Sequence, residues 1–298
     1  MMIRDLFKEK KPVISFEIFP PKKNYPIESI YETIESLRDL NPDFISVTYG
    51  AGGSSKNRTV EIASTIKNKF NVEALAHLTC VSSTKSEIDR VLKELKDNNI
   101  ENILAMRGDI PSDADFDFPN PLQFKYANDL ICRINSNDNF SIGAACYPEG
   151  HIEATCKTDD LKHLKNKVDS SVDFLITQMF FDNELFYNFM EKIDLMGIKV
   201  PVTAGIMPVL NINQMNRIIQ LSGCSIPPKF QRILNKYEHN PEALKEAGTA
   251  YAIDQIIDLL SWGIDGIHIY TMNKPDTTKE IMNSISNIRK FLTEDKVI

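Results

Sequence analysis

The sequence predicts a single (β/α)8 TIM barrel of the α/β class, occupying residues 1–298 as one domain. Three observations lead there. Short apolar runs rich in Val, Ile and Phe alternate with longer stretches of helical periodicity along most of the chain, and eight such runs are legible. A length of 298 residues suits one large α/β core. The 12 Gly and 15 Pro are scattered, so nothing reads as an interdomain linker. A doubly wound open sheet shares the alternation and is the competing architecture.

The first run, Val13 to Phe19, is stopped by Pro20-Pro21, which cannot continue a ladder. A helix follows with Ile27, Ile30, Ile34, Leu37 and Leu40 on one stripe. The second run, Phe44 to Thr48, closes in Tyr49-Gly50-Ala51-Gly52-Gly53 and leads to a helix from about Asn57 to Phe70. Next come a run from Ala74 to Thr79 and a helix from Lys85 to Asn98. The fourth run, Asn102 to Met106, ends in Arg107-Gly108-Asp109, and an acidic loop leads to a helix near Pro121 to Ile134. Phe140 to Cys146 and Phe174 to Gln178 are the fifth and sixth runs, Val200 to Gly205 and Gly266 to Tyr270 the seventh and eighth. Two helices are expected between the last two runs. The second opens at Asn240-Pro241-Glu242 and places Ile253, Ile256, Ile257 and Leu260 at core spacing.

Composition excludes several classes of function. With 34 basic and 41 acidic side chains the net charge is −7, and the charges are interspersed, which argues against a nucleic-acid partner. No apolar run is long enough to span a bilayer, and the first residues lack a secretory apolar segment. The five cysteines are odd in number, widely spaced and free of CxxC, which points to a reducing, cytoplasmic setting. The five histidines form no metal-ligand motif, so no metal is expected.

In such a barrel the C-terminal strand ends form the active face. Here they carry Glu17, Thr48, His77, Arg107, Asp109, Tyr147, Gln178 and Tyr270. Glu17 stands inside an apolar strand on the same face as Ser15. If that face points inward, desolvation should raise its pKa, as suits a general acid; the alternative is an outward Glu paired with Lys or Arg. The loop after the second run lacks the Rossmann and Walker patterns, and a plain turn explains it equally well. Arg107 and Asp109 could offer opposite charges to a ligand around Gly108, or simply pair with each other. Asp160 and Lys167 share a helical stripe that could grip a hydroxyl and a phosphate, or face solvent. Cys80 and Cys146 read as buried small hydrophobes.

The segments Ser15-Phe16-Glu17-Ile18-Phe19-Pro20-Pro21, Val47-Thr48-Tyr49-Gly50-Ala51, His77-Leu78-Thr79-Cys80 and Arg107-Gly108-Asp109 closely resemble the methylenetetrahydrofolate reductase family, bacterial type. The likeness continues through Tyr126 to Leu130, Tyr147-Pro148-Glu149-Gly150-His151, Thr177 to Asp182, Gly205-Ile206-Met207-Pro208 and His268 to Asn273, covering nearly the whole chain in order. The resemblance implies a (β/α)8 barrel with non-covalent FAD. NADH or NADPH would reduce the flavin, which in turn would reduce 5,10-methylenetetrahydrofolate to 5-methyltetrahydrofolate by ping-pong transfer, feeding methionine synthesis.

Residue by residue, the resemblance makes Glu17 the general acid that opens the folate ring and Asp109 the carboxylate that favours the resulting iminium cation. It gives FAD contacts to Thr48, Tyr49, Ala51, His77, Arg107, Gly108, Asp109, Ala127, Tyr147, His151, Ala154, Asp160 and Lys167. Substrate contacts fall to Gln178, Gln214, Tyr270 and Lys274. Four positions depart from the family's usual pattern: Lys274 stands for Arg, His163 for Asn, Asn166 for Arg and Met179 for Phe. The resemblance further implies a homo-oligomer handling small molecules. With the chain ending at Ile298, no C-terminal regulatory domain is expected. Two rivals differ in what they require. A barrel aldolase needs a Lys at a strand end, which none of the eight runs supplies, and a non-catalytic flavin or folate binder could dispense with Glu17.

Overall fold

Eight parallel strands close into a ring in chain order: β1 (Val13–Ile18), β2 (Phe44–Val47), β3 (Glu73–Thr79), β4 (Asn102–Met106), β5 (Ser141–Cys146), β6 (Phe174–Thr177), β7 (Val202–Ile206) and β8 (Gly266–Tyr270), with β8 returning to β1. The computed structural model describes residues 1–21, 25–49, 56–109, 119–137 and 139–294. Each strand is buried on both faces, which is why it reads in the sequence as a continuous apolar run rather than an alternation. The barrel, not the open sheet, is the architecture.

Outward side chains such as Ile14, Phe16, Ile18, Ile103 and Ile142 pack against the surrounding helices in the main core. Inside, the lower end of the ring is filled by Val13, Phe44, Leu75, Leu104, Phe174 and Ile176. A first helix, α1 (Ile3–Glu9), lies across this floor and adds Ile3, Leu6 and Phe7, with the Phe7 and Phe174 rings 5.5 Å apart. The sequence reading found no helix here. Asn102 Oδ1 accepts the Ile3 amide at 2.7 Å and Ser141 Oγ the Arg4 amide at 3.1 Å, so the strands themselves satisfy the first turn of α1.

Polar side chains also fasten the floor. Asp43, Asp173 and Asp265 each stand one residue before a strand. Their carboxylates accept the amides of Ile14, Ile142 and Val202 at 2.7, 2.8 and 3.0 Å. Asn102 Nδ2 donates to the Ala74 carbonyl at 3.2 Å.

Most connecting helices follow the predicted stripes. Tyr31–Arg38 (α2), preceded by a 3-10 turn at Ile27–Ile30, buries Ile30, Ile34 and Leu37. Lys56–Asn68 (α3) and Lys85–Asp97 (α4) follow, the latter opened by a capping box between Thr84 and Glu87. Ala127–Asn137 (α5) starts later than the expected Pro121. Asp129 Oδ2 accepts the Lys125 and Tyr126 amides at 2.8 and 3.0 Å and so fixes the entry. Lys157–Asp169 (α6) and Asn183–Leu195 (α7) complete the next two units.

Between β7 and β8 the structure has three helices rather than two: α8 (Ile212–Ser222), α9 (Pro228–Tyr237) and α10 (Pro241–Trp262). Gly223, with φ +68°, ends α8, and Pro228 opens α9 at its first position. Phe230 of α9 stacks on Tyr251 of α10 at 4.0 Å, within a second small core that includes Phe181, Met207 and Met215. In α10 the buried stripe is Ala252, Ile256, Leu259 and Leu260, whereas Ile257, expected in the core, is 36% exposed. Where α10 crosses the segment after β7, a Cβ on Gly248 would lie 1.9 Å from the Val209 carbonyl oxygen. Two further helices, Pro275–Ser284 (α11) and Ser286–Glu294 (α12), follow β8.

Candidate active site

Ser15 and Glu17 of β1 both point into the ring, two residues apart. The register sets Glu17 beside Ser46 of β2 and Tyr270 of β8, and Ser15 beside His268. Glu17 Oε2 lies 3.4 Å from His268 Nε2, 3.4 Å from His77 Nε2 and 3.5 Å from Ser46 Oγ. The other ring nitrogen of His268, Nδ1, is 2.7 Å from Ser15 Oγ. The Glu17 carbonyl accepts the Thr271 hydroxyl at 2.6 Å, which fixes the upper end of β1. Glu17 therefore has the inward orientation, not the outward ion pair.

The sign of its pKa shift differs from the sequence expectation. Burial is the largest single influence on Glu17 and does push the carboxyl upward. The hydrogen bond from His268, the fields of His77 and His268 and the Ser46 hydroxyl together outweigh it, so the carboxyl lies below its ordinary value. Burial, opposed by Glu17, drives the His77 imidazole down to about 4. Tyr270, whose hydroxyl donates to the Thr177 carbonyl at 2.8 Å, is raised well above its ordinary value, chiefly by burial.

Beside this cluster a cavity of about 690 Å³ opens along the β3–β6 side of the mouth. Eleven of the predicted site residues line it: Tyr49, Arg107, Gly108, Asp109, Ala127, Tyr147, His151, Ala154, Asp160, Lys167 and Gln178. Gly108, at φ +83°, folds the chain against β3, where a Cβ would meet Thr79 Cβ at 2.7 Å. Arg107 pairs not with Asp109 but with Glu153, through two bonds of 2.6 and 2.8 Å. That bidentate contact holds the Glu153 carboxyl below its usual range.

Lys167 turns its ammonium inward, donating to the Ala145 carbonyl at 2.6 Å and lying 5.9 Å from the centre of the Tyr147 ring. Burial lowers its pKa, and burial also raises the Tyr147 phenol to about 12. His151 meets Tyr147 edge-on at 4.6 Å. The helical stripe of Asp160 and Lys167 thus faces the cavity, where it can offer an acceptor and a cation. Asn128 Oδ1, also in the lining, is buried without a partner. His163 and Asn166 stand at the same wall, the His163 ring nearly parallel to Tyr126 at 6.3 Å.

The remaining predicted residues are not in this lining. Thr48 sits at the end of β2, its carbonyl accepting the Thr59 hydroxyl at 3.0 Å. His77 faces Glu17. Gln214, in the first turn of α8, accepts the Leu210 amide at 3.2 Å while its Nε2 is buried and unpartnered. Lys274 is the exposed N-cap residue of α11, and Ala51 falls outside the described residues. Three groups that contact the Glu17 cluster were not among the predicted site residues: Ser15, Ser46 and His268. Each stands two positions before a predicted one, a spacing that strand alternation makes readable. Glu149 was missed as a tether. Its carboxylate accepts the Ser225 amide and hydroxyl, tying the loop after β5 to the α8–α9 connection.

Cys80 and Cys146 are buried, with thiols pushed up to about 12, and so behave as small hydrophobes rather than nucleophiles. Among the described residues no cluster of His, Cys, Asp and Glu is arranged to hold a metal ion, and no helix is long and apolar enough to cross a membrane.

Fold and site together define a (β/α)8-barrel enzyme with a nucleotide-sized cavity beside an acid–base cluster. Comparison with known proteins narrows the class. The chain belongs to the methylenetetrahydrofolate reductase family, whose model matches residues 2–286. It is 33% identical over 272 residues to 5,10-methylenetetrahydrofolate reductase of Escherichia coli (strain K12), a match covering 91% of this chain and 90% of that one. It is 36% identical over 282 residues to methylenetetrahydrofolate reductase (NADH) 1 of Arabidopsis thaliana and 35% over 280 residues to methylenetetrahydrofolate reductase 1 of Schizosaccharomyces pombe. The chain spans about half the length of these two, 48% and 46% respectively. Among solved structures, an uncharacterized protein from Clostridium thermocellum described as binding two copies of 5-methyl-5,6,7,8-tetrahydrofolic acid shares the fold. Its TM-score is 0.66 at 16% identity, covering 98% of this chain and all of that one.

Proposed function

We propose that the chain reduces 5,10-methylenetetrahydrofolate to 5-methyltetrahydrofolate, with non-covalent FAD and with NADH or NADPH as reductant, as a single catalytic domain in a cytoplasmic homo-oligomer that supplies methionine synthesis. The observation that carries this reading is Glu17, a carboxylate held between two imidazoles in the barrel mouth beside a cavity into which Lys167 turns its ammonium. Its companions are family membership and the folate named in several relatives.

The residues present fit a flavin dinucleotide. Gly108 lets the cavity wall pack closely on Thr79, Asn128 Oδ1 is a buried acceptor in need of a donor, and Lys167 supplies a cation. Lys167 would meet the phosphates, with Arg107 joining it on exchanging Glu153 for them, Asp160 would meet a ribose hydroxyl, and Tyr147, His151, Ala127 and Ala154 the flat and sugar portions, with Tyr49 closing one side. When bound, the flavin supplies the hydride chemistry.

The chain's own groups handle the proton. Glu17 delivers it to N10 of the folate as the bond from N10 to the methylene carbon breaks, leaving an iminium that can accept hydride. Glu17 is 17% exposed, and a substrate covering it would remove that remaining contact with water and add to the upward push that burial already exerts. Ser15 and His268 support both charge states. The serine hydroxyl can donate to or accept from Nδ1, leaving Nε2 as donor to a carboxylate or acceptor from a carboxyl. Asp109 favours the cationic iminium, and Gln178, Gln214, Tyr270 and Lys274 hold the substrates in place.

Anaerobic stopped-flow tests the reading. Purified protein should be yellow, lose flavin absorbance on mixing with reduced nicotinamide, and regain it with methylenetetrahydrofolate. Glu17→Gln should keep the first phase and lose the second. A protein that stays colourless after incubation with FAD refutes the proposal.

A further inference from the structure

We propose that His77 is a positioning residue for Glu17, an uncharged imidazole that exchanges hydrogen-bond roles with the carboxyl as the proton comes and goes. The inference rests on the function proposed above but gives His77 a different task from the flavin contact expected of it.

Three observations carry it. The His77 side chain projects into the ring from β3 and is only 5% exposed. Its Nε2 lies 3.4 Å from Glu17 Oε2, yet it makes no hydrogen bond, so a small rotation of either group would complete one. It is absent from the lining of the nucleotide-sized cavity, where the other expected flavin contacts gather.

The surroundings of the pair are defined. Glu17 comes from β1, His268 and Tyr270 from β8 and Ser46 from β2; the Tyr270 hydroxyl is turned to the Thr177 carbonyl. His268 is anchored through Ser15. Both imidazoles approach the same oxygen, Oε2. A carboxylate oxygen can accept from two donors, whereas a protonated one has a single hydrogen to give, so one imidazole changes its role when the proton sits on Oε2. A neutral imidazole can do this by exchanging tautomers. Burial keeps His77 neutral, with its pKa near 4. No new bond to carbon and no change of oxidation state is involved; one proton moves between Glu17 and the folate.

The test compares the two half-reactions of the FAD-loaded enzyme across pH for His77→Leu and His77→Gln. A neutral imidazole that donates to the carboxylate favours the charged form of Glu17, and an apolar side chain in its place cannot. In His77→Leu the alkaline limb of flavin reoxidation by methylenetetrahydrofolate should therefore move up by half a pH unit or more. The ratio of this rate to that of flavin reduction should fall at least tenfold. His77→Gln, which can both donate and accept, should recover part of the lost ratio, and it serves alone if the leucine variant does not fold. An unmoved pH limb and an unchanged ratio, with only the FAD dissociation constant raised, would make His77 a cofactor contact and overturn the inference. Failure of the unsubstituted enzyme to turn over folate would instead defeat the proposed function.

Discussion

His77 also makes the stability of the fold depend on pH in a way that needs no ligand. Its pKa falls from an ordinary 6.5 to about 4 in the barrel because burial disfavours the cation. At pH 7.5 the imidazole is neutral in the folded and unfolded chains, so it contributes no difference. Between 6.5 and 4 the unfolded chain takes up a proton that the folded chain refuses, so stability falls as the pH drops. Each pH unit in that interval is worth about 1.4 kcal/mol, which gives a loss of about 2.5 kcal/mol on going from pH 7.5 to 4.5. Glu17, whose pKa is depressed, adds a loss of the same sign but below its ordinary 4.5, largely outside this range. His77→Gln keeps the polarity without ionising. Urea unfolding followed by far-UV circular dichroism at both pH values should therefore show unsubstituted protein losing about 2.5 kcal/mol more than the variant. Equal losses would refute the reasoning, since they would mean that the folded barrel protonates His77 as readily as water does.

Gly248→Ala should destabilise the chain by about 3 kcal/mol, because the new Cβ would fall 1.9 Å from a backbone oxygen and α10 must back away from Val209. Calorimetry should show Tm lower by about 5–10 °C; an unchanged Tm would mean that helix and loop part without cost. Lys167→Gln removes a buried ammonium from the cavity wall and should raise the dissociation constant for FAD at least about tenfold, measured by quenching of flavin fluorescence. A change of less than twofold would place the phosphates elsewhere.

Much of the barrel was legible because its strands are doubly buried. Asn102–Met106 and Gly266–Tyr270 have the predicted bounds, and the others differ by a residue or two at their ends. The helices after β7 were harder. The buried side of α10 mixes Leu244, Ile256, Leu259 and Leu260 with small and polar residues such as Gly248, Thr249 and Gln255, so counting large apolar residues put Ile257 on the wrong face. Helix α1 escaped notice because its first-turn amides are satisfied by Asn102 and Ser141, about a hundred residues or more away, rather than by a local cap. In the candidate site, the strand ends and the Asp160–Lys167 stripe were recognisable from position and resemblance. The sign of the Glu17 shift was not, since it depends on His268 and Ser46, which closure of the ring brings within 3.5 Å.

The side-chain bonds to backbone groups that fasten the floor fall on alternate seams. Asp43 joins β1 to β2, Asn102 joins β3 to β4, Asp173 joins β5 to β6 and Asp265 joins β7 to β8. The cylinder is thus assembled from four stapled doublets, each pinned at the end remote from the chemistry. Loops at the opposite rim can be exchanged, lengthened or reshaped around a new ligand while the staples hold strand register. The interior can hold serines, histidines and a carboxylate at its mouth, rather than hydrocarbon, because its alignment is secured from below.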